Sequence, residues 1–292
     1  MIDLHTHSTA SDGTFSPSEL VRYAADKKIR VLALTDHDVT DGLMEAQQEA
    51  KNQGIIFIPG IEINVAWPTG EFHLLGLGLK KISAELRETM DFLKEGRIQR
   101  NVQMAERLRK EGIPISMEEL ITRFGEKNLG RPHFAQLLVE KGIVKVRQQA
   151  FDRFFAKGRP CFVDRAGASL TDAVKAIKSS GGIPIQAHPL SMYVSWGKLE
   201  DKIIEIQQSG VQGLEAWHPG ARISEAERLE EMAHRLGMIV TAGSDYHGKT
   251  VRADRHIGET AGGFKINDRF WDEELKPALQ RVHGDDDLTF EE

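Results

Sequence analysis

Seven short apolar runs punctuate this chain, and most of them end in a histidine or a carboxylate. They start at residues 2–4 and continue as "VLAL" (31–34), "IIFIPGIEINV" (55–65), "FHLLGLGL" (72–79), "IPIQAHP" (183–189), "VQGLEAW" (211–217) and "MIVTAGSDYHG" (238–248). Runs of this length, bounded by helical patterns, read as buried strands. The helix signals between them are clear. In "SPSEL" (16–20), Ser16 is an N-cap, Pro17 opens the first turn and Glu19 closes a capping box. Asp41 is placed to cap the next helix and Gly54 to stop it, and Ser224 with Glu227 forms a second capping box. Strands alternating with helices imply a largely parallel sheet, and seven of them suit a closed α/β barrel. No GxGxxG or GxxxxGK[ST] follows a strand, so dinucleotide and P-loop readings have no support.

The barrel pattern is interrupted once. Residues 88–165 carry helical periodicity and dense charge without a strand signal, which predicts a helical insertion subdomain. The expected division is a barrel of residues 1–87 and 166–267, the insertion 88–165, and a C-terminal helix with an acidic, frayed tail over 268–292. A net charge of −6 argues against coating duplex nucleic acid, yet it leaves room for a small anionic substrate once metals reverse the local field. No run of about 18 apolar residues and no secretory leader pattern is visible, so we expect a cytoplasmic protein without a membrane partner. The lone Cys161 fits a reducing compartment. Oligomeric state is not legible.

The strand ends carry the chemistry. His5, His7 and Asp12 follow the first run, His37 the second, Glu62 lies in the third, His73 in the fourth, His188 ends the fifth, and Asp245 with His247 ends the last. In a parallel barrel these ends share one face, where active sites of such folds lie. Residues i and i+2 on a strand point the same way, so His5 and His7 can chelate one ion together. Histidine and carboxylate ligands without cysteine suit Mn²⁺, Zn²⁺ or Fe²⁺ used for hydrolysis. Nine ligands exceed the needs of one ion with open positions and suit two or three ions sharing a carboxylate. Each histidine alone is more often a hydrogen-bonded structural residue, and His133, His218, His234, His256 and His283 are mostly read that way. Trp217 is read as barrel packing.

"DLHTHSTASDG", "LTDHD", "GIEI", "HLLGLG", "AHP" and "GSDYHG", in this order, resemble the signature blocks of the PHP (polymerase and histidinol phosphatase) superfamily. The resemblance implies a distorted (β/α)₇ barrel with a trinuclear metal centre. "GRPHFA" (130–135) and "KGRPCFV" (157–163) are similar to a branch holding 3′,5′-nucleoside bisphosphate phosphatases and a 5′-to-3′ exoribonuclease of short RNA. Carried over, one ion would use His5, His7, Glu62 and Asp245, a second Glu62, His73 and His188, and a third Asp12, His37 and His247. Asp12 stands where some relatives have histidine, which would favour Mn²⁺ because a carboxylate is the harder ligand. The implied activity is hydrolysis of a nucleotide phosphoester by a hydroxide bridging two ions, with Glu62, Asp245 and Arg131 in catalytic roles. Arg131 could clamp phosphate bidentately, and Lys157, Arg159, His133 and His218 are further substrate-binding candidates. Asp36 or Asp38 is expected to steady a ligand histidine.

Two other readings share features with this one. An amidohydrolase-type enzyme acting at carbon would use the same barrel and His-x-His opening. Against it, no strand-end lysine is placed to become a carbamylated bridge, and Glu62 already fills that role. A non-catalytic, metal-stabilised module would be expected to have lost ligands, whereas all nine are present.

Overall fold

In the computed structural model, which describes residues 1–125, 129–284 and 288–291, the seven runs form β1 (Ile2–Asp3), β2 (Val31–Leu34), β3 (Ile56–Val65), β4 (Phe72–Leu77), β5 (Ile183–Gln186), β6 (Gly213–Trp217) and β7 (Ile239–Ala242). The helices are α1 (Pro17–Asp26), α2 (Leu43–Gln53), α3 (Ala84–Lys110), α4 (Met117–Phe124), α5 (Arg131–Glu140), α6 (Arg147–Ala150), α7 (Leu170–Ser179), α8 (Trp196–Gln208), α9 (Ile223–Arg235) and α10 (Lys276–His283). The strands lie side by side in sequence order, β1 to β7. The segment after β1 also pairs with the end of β7 and the segment after it: Leu4 N–H donates to Ala242 O (3.4 Å) and His7 N–H to Tyr246 O (2.9 Å). The sheet is therefore nearly closed into an α/β barrel.

Six of the strands run parallel, but β4 is antiparallel to both neighbours. Residues 66–71 hold no helix, and Gly70 turns there at φ 46°. A return this short can only place the next strand antiparallel. The start of β4 thus lies beside the end of β3, with His73 opposite Asn64. A residue from the beginning of a strand reaches the same barrel face as residues from the ends of the others. Strand residues are buried almost throughout, as expected when helices cover a parallel sheet.

The local signals are answered unevenly. Ser16 and Glu19 form the capping box, and Gly54 stops α2 at φ 67°. The N-cap of α2 is Gly42, one residue past Asp41. α9 starts at Ile223, before Ser224, and Glu225 accepts from Arg222 N–H at 2.9 Å, so Glu227 is not the capping partner. The chain divides into two compact units, residues 1–90 with 167–292 and residues 91–166, so the division falls inside α3. Among the described residues, the regular elements of the second unit are all helices, and it has its own core around Met104, Leu108, Leu120, Phe134, Leu138 and Phe155. No helix among the described residues is long and apolar enough to cross a membrane.

The C-terminal segment is not frayed over residues 288–291; the acidic residues 285–287 and residue 292 lie outside the described residues. Phe290 is 1% exposed, its backbone N–H donates to Gln47 Oε1 (2.7 Å) and its carbonyl accepts from Gln47 Nε2 (3.1 Å). Glu291 N–H donates to Lys80 O at 2.8 Å. Burying a phenyl ring outweighs the entropy of an otherwise polar tail. Phe290→Ala should destabilise the protein by about 3 kcal/mol, the usual cost of a large-to-small core change. Chemical denaturation checks this, and a change under about 0.5 kcal/mol would contradict it.

Candidate metal centre

His5 and His7 alternate with Thr6 along the extended backbone, so both imidazoles enter the barrel while Thr6 Oγ1 turns away to donate to Ala33 O (2.6 Å). Asp36 shapes the loop that brings Asp12 back. Its carboxylate accepts from Ser8 N–H (2.8 Å), Ser8 Oγ (2.6 Å) and Ser11 Oγ (2.5 Å). Asp3 does the same for the last strand end, accepting from Ser244 N–H (3.0 Å), Ser244 Oγ (2.5 Å) and Gly258 N–H (2.8 Å). Burial pushes the Asp3 carboxyl up to about 6, against the pull of these hydrogen bonds. Gly243 is required by close approach: a Cβ there would lie 2.2 Å from His5 Cβ and 2.6 Å from Glu215 Oε1. Backbone strain gathers here as well. Asp38 (φ 57°), His188 (27°), Tyr193 (53°) and Asp245 (53°) adopt left-handed conformations that cost a non-glycine residue of order 1–3 kcal/mol.

Glu62, fully buried in β3, is the hub. Its Oε1 faces His73 Nδ1 (2.8 Å) and His188 Nε2 (3.0 Å). Its Oε2 faces His37 Nδ1 (3.0 Å), His7 Nε2 (3.2 Å) and His5 Nε2 (3.3 Å). Asp245 Oδ1 lies 3.4 Å from His7 Nε2 and 3.6 Å from His5 Nε2, and Asp12 Oδ1 lies 3.2 Å from His247 Nε2.

Outer partners decide which ring nitrogens carry protons. His5 Nδ1–H donates to Glu215 Oε1 (2.8 Å), and His247 Nδ1–H donates to the carbonyl of Asp245 (2.9 Å). Ser191 Oγ gives its proton to Glu71 O (2.9 Å), so it accepts from His188 Nδ1–H (2.9 Å). All three rings therefore turn an Nε2 lone pair toward a carboxylate oxygen. Lone pairs facing lone pairs at 3.0–3.3 Å need a positive charge between them, a proton in the free protein or a metal ion when one is bound. His7 Nδ1, His37 Nδ1 and Glu62 Oε2 also lack well-aligned hydrogen-bond partners despite full burial. An all-nitrogen-and-oxygen donor set arranged this way fits divalent ions. Among the described residues, three groups have ligand atoms within 4.8 Å of one another: His5, His7, Glu62 and Asp245; His7, Asp12, His37 and His247; and His37, Glu62 and His73.

The charges agree. Burial alone would suppress imidazolium, yet for His7 hydrogen bonds to Asp245 and Glu62 prevail and hold its pKa at about 10. His5 is likewise raised by Glu215 and Glu62 against burial. Burial opposes ionisation of Glu62 too, but His37, His5 and His73 hold it well below the usual carboxylate range. His37 is the exception: burial depresses it to about 3, although Glu62 and Asp12 pull the other way.

The nine strand-end residues thus come together at one end of the barrel. Six of them, His37, Glu62, His73, His188, Asp245 and His247, border a cavity of about 380 Å³ whose walls also include Ser191, Tyr193, His218, Arg252 and Arg255. His218 is drawn into the cluster, with Nε2 3.4 Å from Asp245 Oδ2. Trp217 turns outward and donates to Glu230. Arg131, His133, Lys157 and Arg159 lie in the second unit. Arg131 opens α5, and His133 Nδ1 accepts from Gly130 N–H (3.2 Å), which steadies that loop. Lys157 and Arg159 are exposed on a turn. From the sequence, Asp36 or Asp38 is expected to steady a ligand histidine. Asp36 holds the Ser8–Ser11 loop, and Asp38 Oδ1 accepts from Asn64 N–H (2.9 Å). Glu215, inside β6, fills that role, and its signal was a lone carboxylate in an otherwise apolar strand.

The PHP domain family matches residues 3–139. Over 260 residues the chain is 34% identical to a 3′,5′-nucleoside bisphosphate phosphatase of Chromobacterium violaceum, spanning 89% of this chain and 91% of that one. It is also 34% identical over 245 residues to a 5′-3′ exoribonuclease of Haemophilus influenzae, spanning 84% and 89%. A solved structure described as an amidohydrolase from Chromobacterium violaceum, with bound sulfate and no metal, superposes with a TM-score of 0.82 at 32% identity over 96% of each chain. With its barrel, its buried histidine–carboxylate cluster and these relatives, the chain belongs to the PHP domain family of metal-dependent phosphoesterases.

Proposed function

We propose that this phosphoesterase removes the 3′-phosphate of nucleoside 3′,5′-bisphosphates, cleaves short 5′-phosphorylated RNA from its 5′ end, or does both. The observation that carries the reading is the division of Glu62. Its two oxygens face different sets of ring nitrogens, the arrangement of a carboxylate shared between ions. Relatives acting on nucleotides, by name, supply the substrate class. We assign one ion to His5, His7, Glu62 and Asp245, a second to Glu62, His73 and His188, and a third to Asp12, His37 and His247, with Mn²⁺ preferred over Zn²⁺ or Fe²⁺. When bound, such ions supply Lewis acidity that makes a water nucleophilic near neutral pH and neutralises phosphoryl charge.

The chain's own residues do the rest. Glu215 fixes the His5 tautomer, and Ser191 that of His188, so neither ligand has to reorganise during turnover. Gly220 N–H donates to His218 Nδ1 (3.0 Å), which leaves a proton on Nε2 at the cavity wall. Burial keeps this ring neutral, so it can donate a hydrogen bond to a substrate oxygen. Arg131, His133, Lys157 and Arg159 are proposed substrate contacts on sequence grounds, with Arg131 clamping phosphate.

Incubation of Mn²⁺-loaded protein with adenosine 3′,5′-bisphosphate, 5′-phosphorylated RNA of several lengths, and amide and lactone panels tests the reading. Released phosphate or mononucleotide is expected, with carbon-centred substrates untouched. Turnover of amides or lactones alone would favour the amidohydrolase reading instead.

A further inference from the structure

Arg255 is 6% exposed, and its Nε and Nη1 are fully buried with no hydrogen-bond acceptor among the described residues. Its one ion-pair contact there is Asp254, 3.6 Å from Nε, whose side chain is 75% exposed. A guanidinium cannot shed its proton, and burying it unpaired is costly. Beyond the exposed Asp254, a buried cation kept this way calls for an anion that the described residues do not supply. The surroundings say where that anion sits. Arg255 closes a turn after His247, with its N–H on Arg252 O (3.3 Å), and lines the same cavity as Glu62, His188 and Asp245. A Cβ on Gly220 would lie 3.5 Å from Arg255 Nη2, so bare backbone faces the guanidinium. His218 stands between this point and the cluster, with Nδ1 bound to Gly220 N–H and Nε2 facing Asp245. An anion on Arg255 is therefore separate from one on the cluster, yet within the same cavity.

We propose that Arg255 is an anion subsite for the second, non-scissile phosphate of a substrate whose scissile phosphate lies on the histidine–carboxylate cluster, an inference that rests on the nucleotide reading above. The subsite would separate nucleoside 3′,5′-bisphosphates, and RNA ends bearing a 5′-phosphate, from simple monoesters.

The test compares wild type, Arg255→Gln and Arg255→Lys on a nucleoside 3′,5′-bisphosphate and on the matching 3′-monophosphate. For Arg255→Gln, kcat/KM on the bisphosphate should fall about 100-fold, mostly through KM, as expected for loss of a buried charge pair. On the monophosphate it should change less than about threefold. Arg255→Lys, which keeps the charge, should recover part of the bisphosphate rate. The melting temperature of Arg255→Gln without nucleotide should stay level or rise, because an unpaired buried charge has been removed. Equal losses on both substrates, no loss on either, or a marked fall in melting temperature would overturn the proposal. If wild type does not turn over the bisphosphate, the nucleotide reading fails separately. Calorimetric binding of a nucleoside 5′-monophosphate to Mn²⁺-loaded protein then still decides Arg255. About 100-fold weaker binding by Arg255→Gln supports the subsite, whereas equal binding, or none to wild type, overturns it.

Discussion

Replacing Glu62 with glutamine should lower phosphoester turnover by at least about 10³-fold while leaving the barrel folded. Glutamine keeps the size of the side chain but offers one acceptor oxygen and an NH₂ that only donates. One of the two sets of ring nitrogens around Glu62 would then face N–H donors. The negative charge that the buried cluster relies on is lost as well. Removing a single outer-shell partner of a metal site already costs about 10–100-fold, and Glu62 would serve two assigned sites at once. Steady-state kinetics, metal content by mass spectrometry and circular dichroism on one preparation decide it. Activity within about tenfold of wild type at unchanged metal content would remove Glu62 from the centre. His7→Ala and Asp245→Ala are expected to behave similarly, since each touches Glu62 or its partners.

Chelation should abolish turnover and also change how stability responds to pH. In the metal-free protein His7 has a pKa raised from 6.5 to about 10. A folded pKa above the unfolded one contributes stability that is complete below about 6.5 and fades as pH rises toward 10. His5 and His188 are raised as well and act in the same direction. The melting temperature of chelated protein should thus fall steadily between about pH 7 and pH 9.5. Loaded protein should melt higher by on the order of 5 °C at cation concentrations near 100 times Kd, and the gap should widen as pH rises and protons stop competing for the rings. Mn²⁺ titrated at pH 7 should release protons. Parallel melting curves with and without chelator across that range would contradict the ligand assignment.

The ligand types were legible because a barrel puts histidine and carboxylate at strand ends, and few other roles explain them there. The Ser16–Glu19 cap and the Gly54 stop were legible because each is a purely local bond pattern. What stayed hidden depends on pairing across the chain. β4 carries the same apolar pattern as the six strands that run parallel to one another, and only the helix-free turn before it reverses its direction. Glu215 reads as an awkward residue in a strand until His5 is brought 2.8 Å away. Arg255 looks like any loop arginine until its burial is known. The docked tail escaped notice because acidic neighbours masked one phenylalanine whose partner, Gln47, is 243 residues earlier.

The seam where the barrel closes has a consequence for how the protein is made. His5 and His7 lie on one side of it and Asp245 and His247 on the other, and 241 residues separate Asp3 from the Ser244 it holds. Contacts so distant along the chain are the slowest to form, because the whole intervening loop must be closed first. During synthesis, a ribosome-bound chain lacking its last strand would have the histidines but not the carboxylate that completes their site. Ion capture would then come late and act as a clasp that withdraws closed barrels from the pool of open ones.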